Sequence, residues 1–241
     1  MDMEFWGLVG LGFLLGVKHA TEPDHVIAVS TIAAESRSLR RASLAGVYWG
    51  VGHTLTLLVV GTVLLAVRGQ IPEKWSLSLE FLVGIMLVAL GINALNFRTR
   101  RVHSHVHWHG VLRHTHFHEH PNGRTDDHRH LHIELSYIKA GLVGVVHGLA
   151  GSAAMALLAA STAETIWQGM LYIVVFGAGT VLGMGVCTTA VGLPFALTAD
   201  RRASLNRALG MAAGALSVVY GAYYIYHLGV SEGLFRLWLE A

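Results

Sequence analysis

The chain is 241 residues long; 53% of them are hydrophobic and 13% charged, about half the ~25% charge of soluble domains. Its net charge of +2 calls for no nucleic-acid partner. The lone Cys187 excludes a disulfide framework or a cysteine-based zinc site, so the composition reads as that of a membrane protein.

Six apolar stretches, near 5–33, 42–67, 77–97, 136–160, 166–198 and 205–228, reach the ~20 residues that a helix needs to cross a bilayer. They predict an all-α polytopic membrane protein with six transmembrane helices. The predicted organisation is a first three-helix repeat over 1–97, a cytoplasmic histidine-rich loop over 98–135, a second three-helix repeat over 136–228, and a short C-terminal tail over 229–241.

The first stretch reads as a span and not as a signal peptide. It lacks a basic leading segment, carries Asp2 and Glu4, and runs into a polar cluster instead of a cleavage site. That cluster is His19-Ala20-Thr21-Glu22-Pro23-Asp24-His25. A charged side chain at mid-membrane costs roughly 2.5–3.5 kcal/mol on insertion scales, so the cluster predicts an ion site. On a regular helix His19, Asp24 and His25 would point at 0°, about 140° and about 240°, too far apart to share one ion. Pro23 has no N–H to give the His19 carbonyl four residues back, and so predicts a broken helix that gathers the three side chains. Lys18 and Glu22, four apart, are expected to form a local ion pair. Two imidazoles with a carboxylate and no thiolate suit Ni²⁺, Co²⁺ or Zn²⁺ better than Mg²⁺ or Ca²⁺.

His53 in the second span is a further imidazole expected to face the site. His147 in the fourth is another, equally compatible with a hydrogen bond to a neighbouring helix. Asn93 and Asn96 in the third span predict interhelical hydrogen bonds. His227, near the end of the sixth, reads as incidental.

Between the third and fourth spans lie eleven of the sixteen histidines. His103, His105, His107, His109, His114, His116, His118 and His120 alternate with other residues, and His128, His130 and His132 follow the Pro121-Asn122-Gly123 turn. This is a flexible metal-binding tract with no fixed geometry expected.

Thirteen of the seventeen Lys and Arg residues fall in the loops after spans 1, 3 and 5. By the positive-inside rule those loops are cytoplasmic and both termini lie outside, with Trp6, Trp75 and Trp167 at outer span ends. The halves also resemble each other. Gly16-Val17-Lys18-His19 aligns with Gly144-Val145-Val146-His147, Gly50-Val51-Gly52-His53 with Gly177-Ala178-Gly179-Thr180, and Gly84 and Gly91 with Gly214 and Gly221, at offsets of 127 to 130. Three spans per repeat predict inverted repeats, a common transporter plan with the ion near the midplane.

His19-x-x-x-x-Asp24-His25 resembles the signature helix of the nickel/cobalt transporter family, and Val51-Gly52-His53-Thr54 its second histidine motif. The chain is similar to the shorter, six-span permeases of that superfamily, associated with urease and hydrogenase accessory genes. The resemblance implies Ni²⁺ or Co²⁺ as the transported ion, with His19, Asp24, His25 and His53 as metal residues and no cofactor. A cytoplasmic nickel chaperone is a candidate partner, besides the metal ion and the lipid bilayer. The first helix of the eight-span members is missing here. The family's efflux branch also has six spans and a histidine-rich loop, so export is the alternative direction.

The leading expectation is a secondary permease in the inner (cytoplasmic) membrane. No phosphate-binding Gly-x-x-x-x-Gly-Lys-Ser/Thr loop supports ATP hydrolysis, and no His-Glu-x-x-His supports a membrane metalloenzyme. A metal sensor or accessory protein without flux is the other alternative.

Overall fold

The computed structural model describes residues 3–36, 38–67, 71–99, 103–109, 112–118, 135–163, 165–199 and 202–240. Its helices are α1 (Met3–His19), α2 (Pro23–Glu35), α3 (Leu39–Val67), α4 (Glu73–Thr99), α5 (Leu135–Thr162), α6 (Ile166–Thr198), α7 (Ala203–Tyr226) and α8 (Leu234–Leu239), with a π-helical turn at His227–Ser231. Apart from one hairpin, β1 (His103–His109) and β2 (Leu112–His118), the fold is helical, as the hydropathy pattern predicts.

Among the described residues, four segments are long and apolar enough to cross a membrane by length and composition: Leu39–Val67, Glu73–Asn96, Ile166–Thr198 and Ala203–Ser231. Shorter apolar helical segments cover Val9–His19 and Tyr137–Gly151. The outward faces of the long helices are apolar, with Leu55, Val59, Val63, Leu182, Val186 and Val219 all exposed. A continuous apolar surface of this kind belongs against lipid.

The predicted break is present. α1 ends at His19, and two tight-turn bonds follow, Thr21 N–H to the Lys18 carbonyl at 2.9 Å and Glu22 N–H to the His19 carbonyl at 3.0 Å. Pro23 then opens α2, where its missing N–H costs nothing because the first helical N–H groups have no partner inside the helix. At the other end of the bundle, Thr165 and Gln168 form a reciprocal capping box that starts α6.

α3 packs against α5 and α6, α1 against α6, and α4 against α7, while α2 lies among α4, α6 and α7. Glycines set how near these helices come. A Cβ on Gly16 would run into the Phe176 carbonyl, and one on Gly144 into the Trp49 carbonyl. Gly52 faces the Gly141 carbonyl in the same way, and Gly179 that of Phe13. Gly84 meets Gly221 and Gly91 meets Gly214 across α4 and α7. Asn93 donates from α4 to Glu35 of α2 at 2.6 Å, an interhelical bond of the expected kind.

Candidate metal centre

The break brings the end of α1 and the start of α2 to the middle of the bundle, facing α3 and α5. His25 and His53 are fully buried and His147 nearly so. Donor atoms of His19, His25 and His53 lie within 4.8 Å of one another, as do those of Asp24, His25 and His147. The two groups share His25, and every core residue singled out from the sequence is in one of them.

Two carboxylates orient the rings. His147 Nε2 contacts Asp24 Oδ2 at 2.9 Å, and His25 Nδ1 contacts Asp24 Oδ1 at 3.2 Å. The backbone N–H of His25 donates to the same Oδ1 at 2.9 Å. His19 Nδ1 stands 2.9 Å from Glu22 Oε2, so Glu22 serves His19 and not Lys18 as the i,i+4 spacing suggested. The correction has a simple cause: with the helix broken at 20–22, residues 18 and 22 are no longer stacked on one face.

An ionised carboxylate only accepts hydrogen bonds, so each of these contacts fixes a ring proton on the nitrogen facing it. The opposite nitrogen of each ring is then a bare lone pair. On His25 that atom is Nε2 and on His147 it is Nδ1; both are buried with no hydrogen-bond partner among the described residues, and so is His53 Nδ1. Leaving a buried polar atom unmet costs about 1–3 kcal/mol. His19 Nε2 and His53 Nε2 stand 3.3 Å apart. Two imidazole nitrogens on one tetrahedral ion at about 2.0–2.1 Å would be about 3.3 Å apart as well, so the pair has the spacing of shared ligation. The arrangement can strip a divalent cation of water and hold it by ring nitrogens whose tautomers the carboxylates set.

Aromatic rings close the cluster. Trp49 stacks on His25 with centroids 6.1 Å apart and lies 5.8 Å from His147, while Phe176 lies 5.5 Å from His19. The sequence reading assigned Glu22 to Lys18 and missed Trp49 and Phe176. The two rings immediately precede the aligned segments Gly50-Val51-Gly52-His53 and Gly177-Ala178-Gly179-Thr180, a signal that could have found them.

The other sites lie apart. The hairpin register places His103 opposite His118, His105 opposite His116, and His107 opposite His114, with His109 opposite Leu112. The tract thus has a defined backbone pairing where none was expected. His120, His128, His130 and His132 fall outside the described residues. His227 pairs with Glu232 at 3.2 Å on the π-helical turn and takes no part in the cluster.

The sequence matches a family model described as NicO, high-affinity nickel-transport protein, over residues 5–219. It is 48% identical over 239 residues, 99% of each chain, to the urease accessory protein UreH of Bacillus sp. (strain TB-90). It is 25% identical over 186 residues to the chloroplast protein FOR GROWTH AND FERTILITY 2 of Arabidopsis thaliana, covering 75% of this chain and 46% of that one. No solved structure matches the chain.

Proposed function

Because the chain belongs to the NicO family of high-affinity nickel-transport proteins, we propose that it is a secondary permease for Ni²⁺ or Co²⁺ that binds its ion at the broken first span. The observation that carries this reading is the clustering of His19, His25, His53, His147 and Asp24 in two donor groups that share His25, with buried ring nitrogens left without partners among the described residues. His19, His25 and His53 would hold the ion, with His147 as a further ligand, and Asp24 would offset its charge. Imidazole donors favour late first-row divalent ions without separating neighbours such as nickel and cobalt.

We read the architecture as six spans in two inverted repeats, α1–α2, α3 and α4 against α5, α6 and α7. Exchanged contacts support this. Gly16 meets Phe176 while its counterpart Gly144 meets Trp49; Gly50 meets Val181 while Gly177 meets Thr54; Gly84 meets Gly221 while Gly214 meets Gly91. Each pair turns into the other when the halves are swapped, which is what a two-fold axis in the membrane plane requires. The repeats would rock about the ion to alternate access.

The orientation proposed is that of the basic loops, with termini outside and the histidine hairpin in the cytoplasm of a cell whose inner membrane holds the protein. An inside-negative potential supplies about 4.6 kcal/mol per 100 mV to a divalent ion, at about 2.3 per charge, so import needs no ATP. The hairpin would receive or buffer metal and could pass it to a cytoplasmic nickel chaperone. The 48% identity to a protein named as a urease accessory favours a second reading, an accessory or sensor role that binds metal without moving it.

Purified protein in proteoliposomes decides between them. Ni²⁺ or Co²⁺ entry driven by an inside-negative potential, and lost on His19→Ala, is the expected result. Flux that needs an opposing proton gradient would instead indicate export by exchange. Tight binding with no flux for either metal would overturn the permease in favour of the accessory role.

A further inference from the structure

The imidazole cluster has an aromatic ring at each end, and the two rings face opposite sides of the membrane. α3 and α6 run antiparallel: Gly46 meets Thr188, Gly50 meets Val181, and the Thr54 hydroxyl donates to the Gly177 carbonyl at 3.2 Å. The level of His53 therefore falls beside Ala178. Phe176 lies beyond that level toward the Val67 end of α3. Trp49 lies before it, one helical turn or about 6 Å toward the Leu39 end. Among the cluster imidazoles, the ring contacts of Phe176 are with His19 and those of Trp49 with His25 and His147.

We propose that Trp49 and Phe176 are the two gates of the metal path, Phe176 closing the imidazole cluster from the outside and Trp49 closing it from the cytoplasm. The naming of the sides rests on the orientation proposed above. Both rings are closed over the site in this structure, Trp49 at 0% exposure and Phe176 at 2%. They hold corresponding places in the two halves, each just ahead of a Gly-x-Gly, as a transporter that uses the same device once per face requires.

A second feature separates Trp49 from an ordinary core tryptophan. A buried indole N–H almost always has an acceptor, yet Trp49 Nε1 has none among the described residues. Packing, and not a hydrogen bond among the described residues, holds the ring in its closed position. Closure by packing can be reversed when the repeats move apart.

The test uses a thiol reporter between the two rings, His25→Cys in a Cys187→Ala background, in full-length protein oriented in right-side-out and inside-out vesicles. With both rings intact, a membrane-impermeant maleimide is expected to label position 25 only slowly from either face. Phe176→Ala should raise labelling by an order of magnitude or more from the outside only, and Trp49→Ala from the cytoplasmic face only. Where an alanine variant does not yield folded protein, Phe176→Leu or Trp49→Leu gives the same reading with core volume largely kept. One-sided labelling is not what an unfolded chain gives. Opposite faces opened in exchanged order would uphold the gates and reverse the proposed orientation. Both variants opening the same face, no opening in folded protein, or labelling already as fast before either ring is removed as after would overturn the proposal.

Discussion

Asp24 and Glu22 do most of their work through protons they do not carry. Asp24 places one oxygen on His25 Nδ1 and the other on His147 Nε2, and so fixes which nitrogen of each ring is left as a lone pair. Asp24→Asn keeps the shape but replaces one acceptor oxygen by a donor NH₂. One of the two rings must then turn its lone pair to that amide and carry its proton where the ion should bind. In a chain lacking residues 101–132, so that only the core binds, we expect Asp24→Asn to abolish Ni²⁺ binding, measured by equilibrium dialysis of detergent-solubilised protein that still elutes as a folded species. Glu22→Gln keeps an acceptor for His19 Nδ1 without the charge, and loss of such an outer partner typically weakens metal sites about 10–100-fold. A wild-type affinity in Glu22→Gln would remove Glu22 from the site. The histidines were legible from sequence because an ionisable group in an apolar run has few harmless explanations. Glu22 was misread because the i,i+4 rule assumes the continuous helix that Pro23 interrupts. Trp49 and Phe176 carried no such signal, since an aromatic residue in an apolar span looks like any other core residue.

At the scale of the element, the break between α1 and α2 creates the site. His19 ends one helix and His25 lies in the first turn of the next, and the turn between them removes the angular separation that a continuous helix would impose. Pro23→Ala returns an N–H that can bond to the His19 carbonyl, the acceptor now used by Glu22 N–H. The expected outcome is a bundle of unchanged or slightly higher helicity by circular dichroism with Ni²⁺ affinity reduced at least tenfold. Retained affinity would mean that packing around 20–22, and not the proline, holds the break. The close helix crossings make a companion case. Gly16→Val and Gly144→Val each drive a side chain into the backbone of the facing helix, against Phe176 and Trp49 respectively. Overpacking of this kind costs typically about 1–3 kcal/mol, so both should lower the thermal midpoint, and by similar amounts if the two crossings are equivalent. The break was readable from Pro23, and the alignment of the halves marked Gly16 and Gly144 as counterparts without showing what they pack against. The predicted stretch 166–198 coincides with α6, whereas α3 begins at Leu39, ahead of the apolar run that starts at 42, because the helix extends into the polar residues Arg40 and Arg41 that hydropathy excludes.

For the whole molecule, the outstanding relation is between the imidazole cluster inside the bundle and the histidine hairpin between α4 and α5. The hairpin's register pairs His103, His105 and His107 with His118, His116 and His114. We propose that the tract binds ions of its own, without any contribution from the core. If the core alone carries the ion across, deleting residues 101–132 should lower the number of Ni²⁺ ions bound per chain while leaving potential-driven flux. Loss of flux at normal expression would instead make the hairpin part of the path. Acidity separates the two sites further. Ligation needs neutral imidazole, and water-exposed histidines protonate as pH falls through about 6.5, so the ions lost on acidification should be those lost on deletion. Binding measured at about pH 7.5 and about pH 5.5 on both proteins checks this, since each proton taken up by a hairpin imidazole removes a lone pair from the metal. A full chain that keeps its extra ions at the lower pH would show that exposed neutral imidazoles are not what holds them.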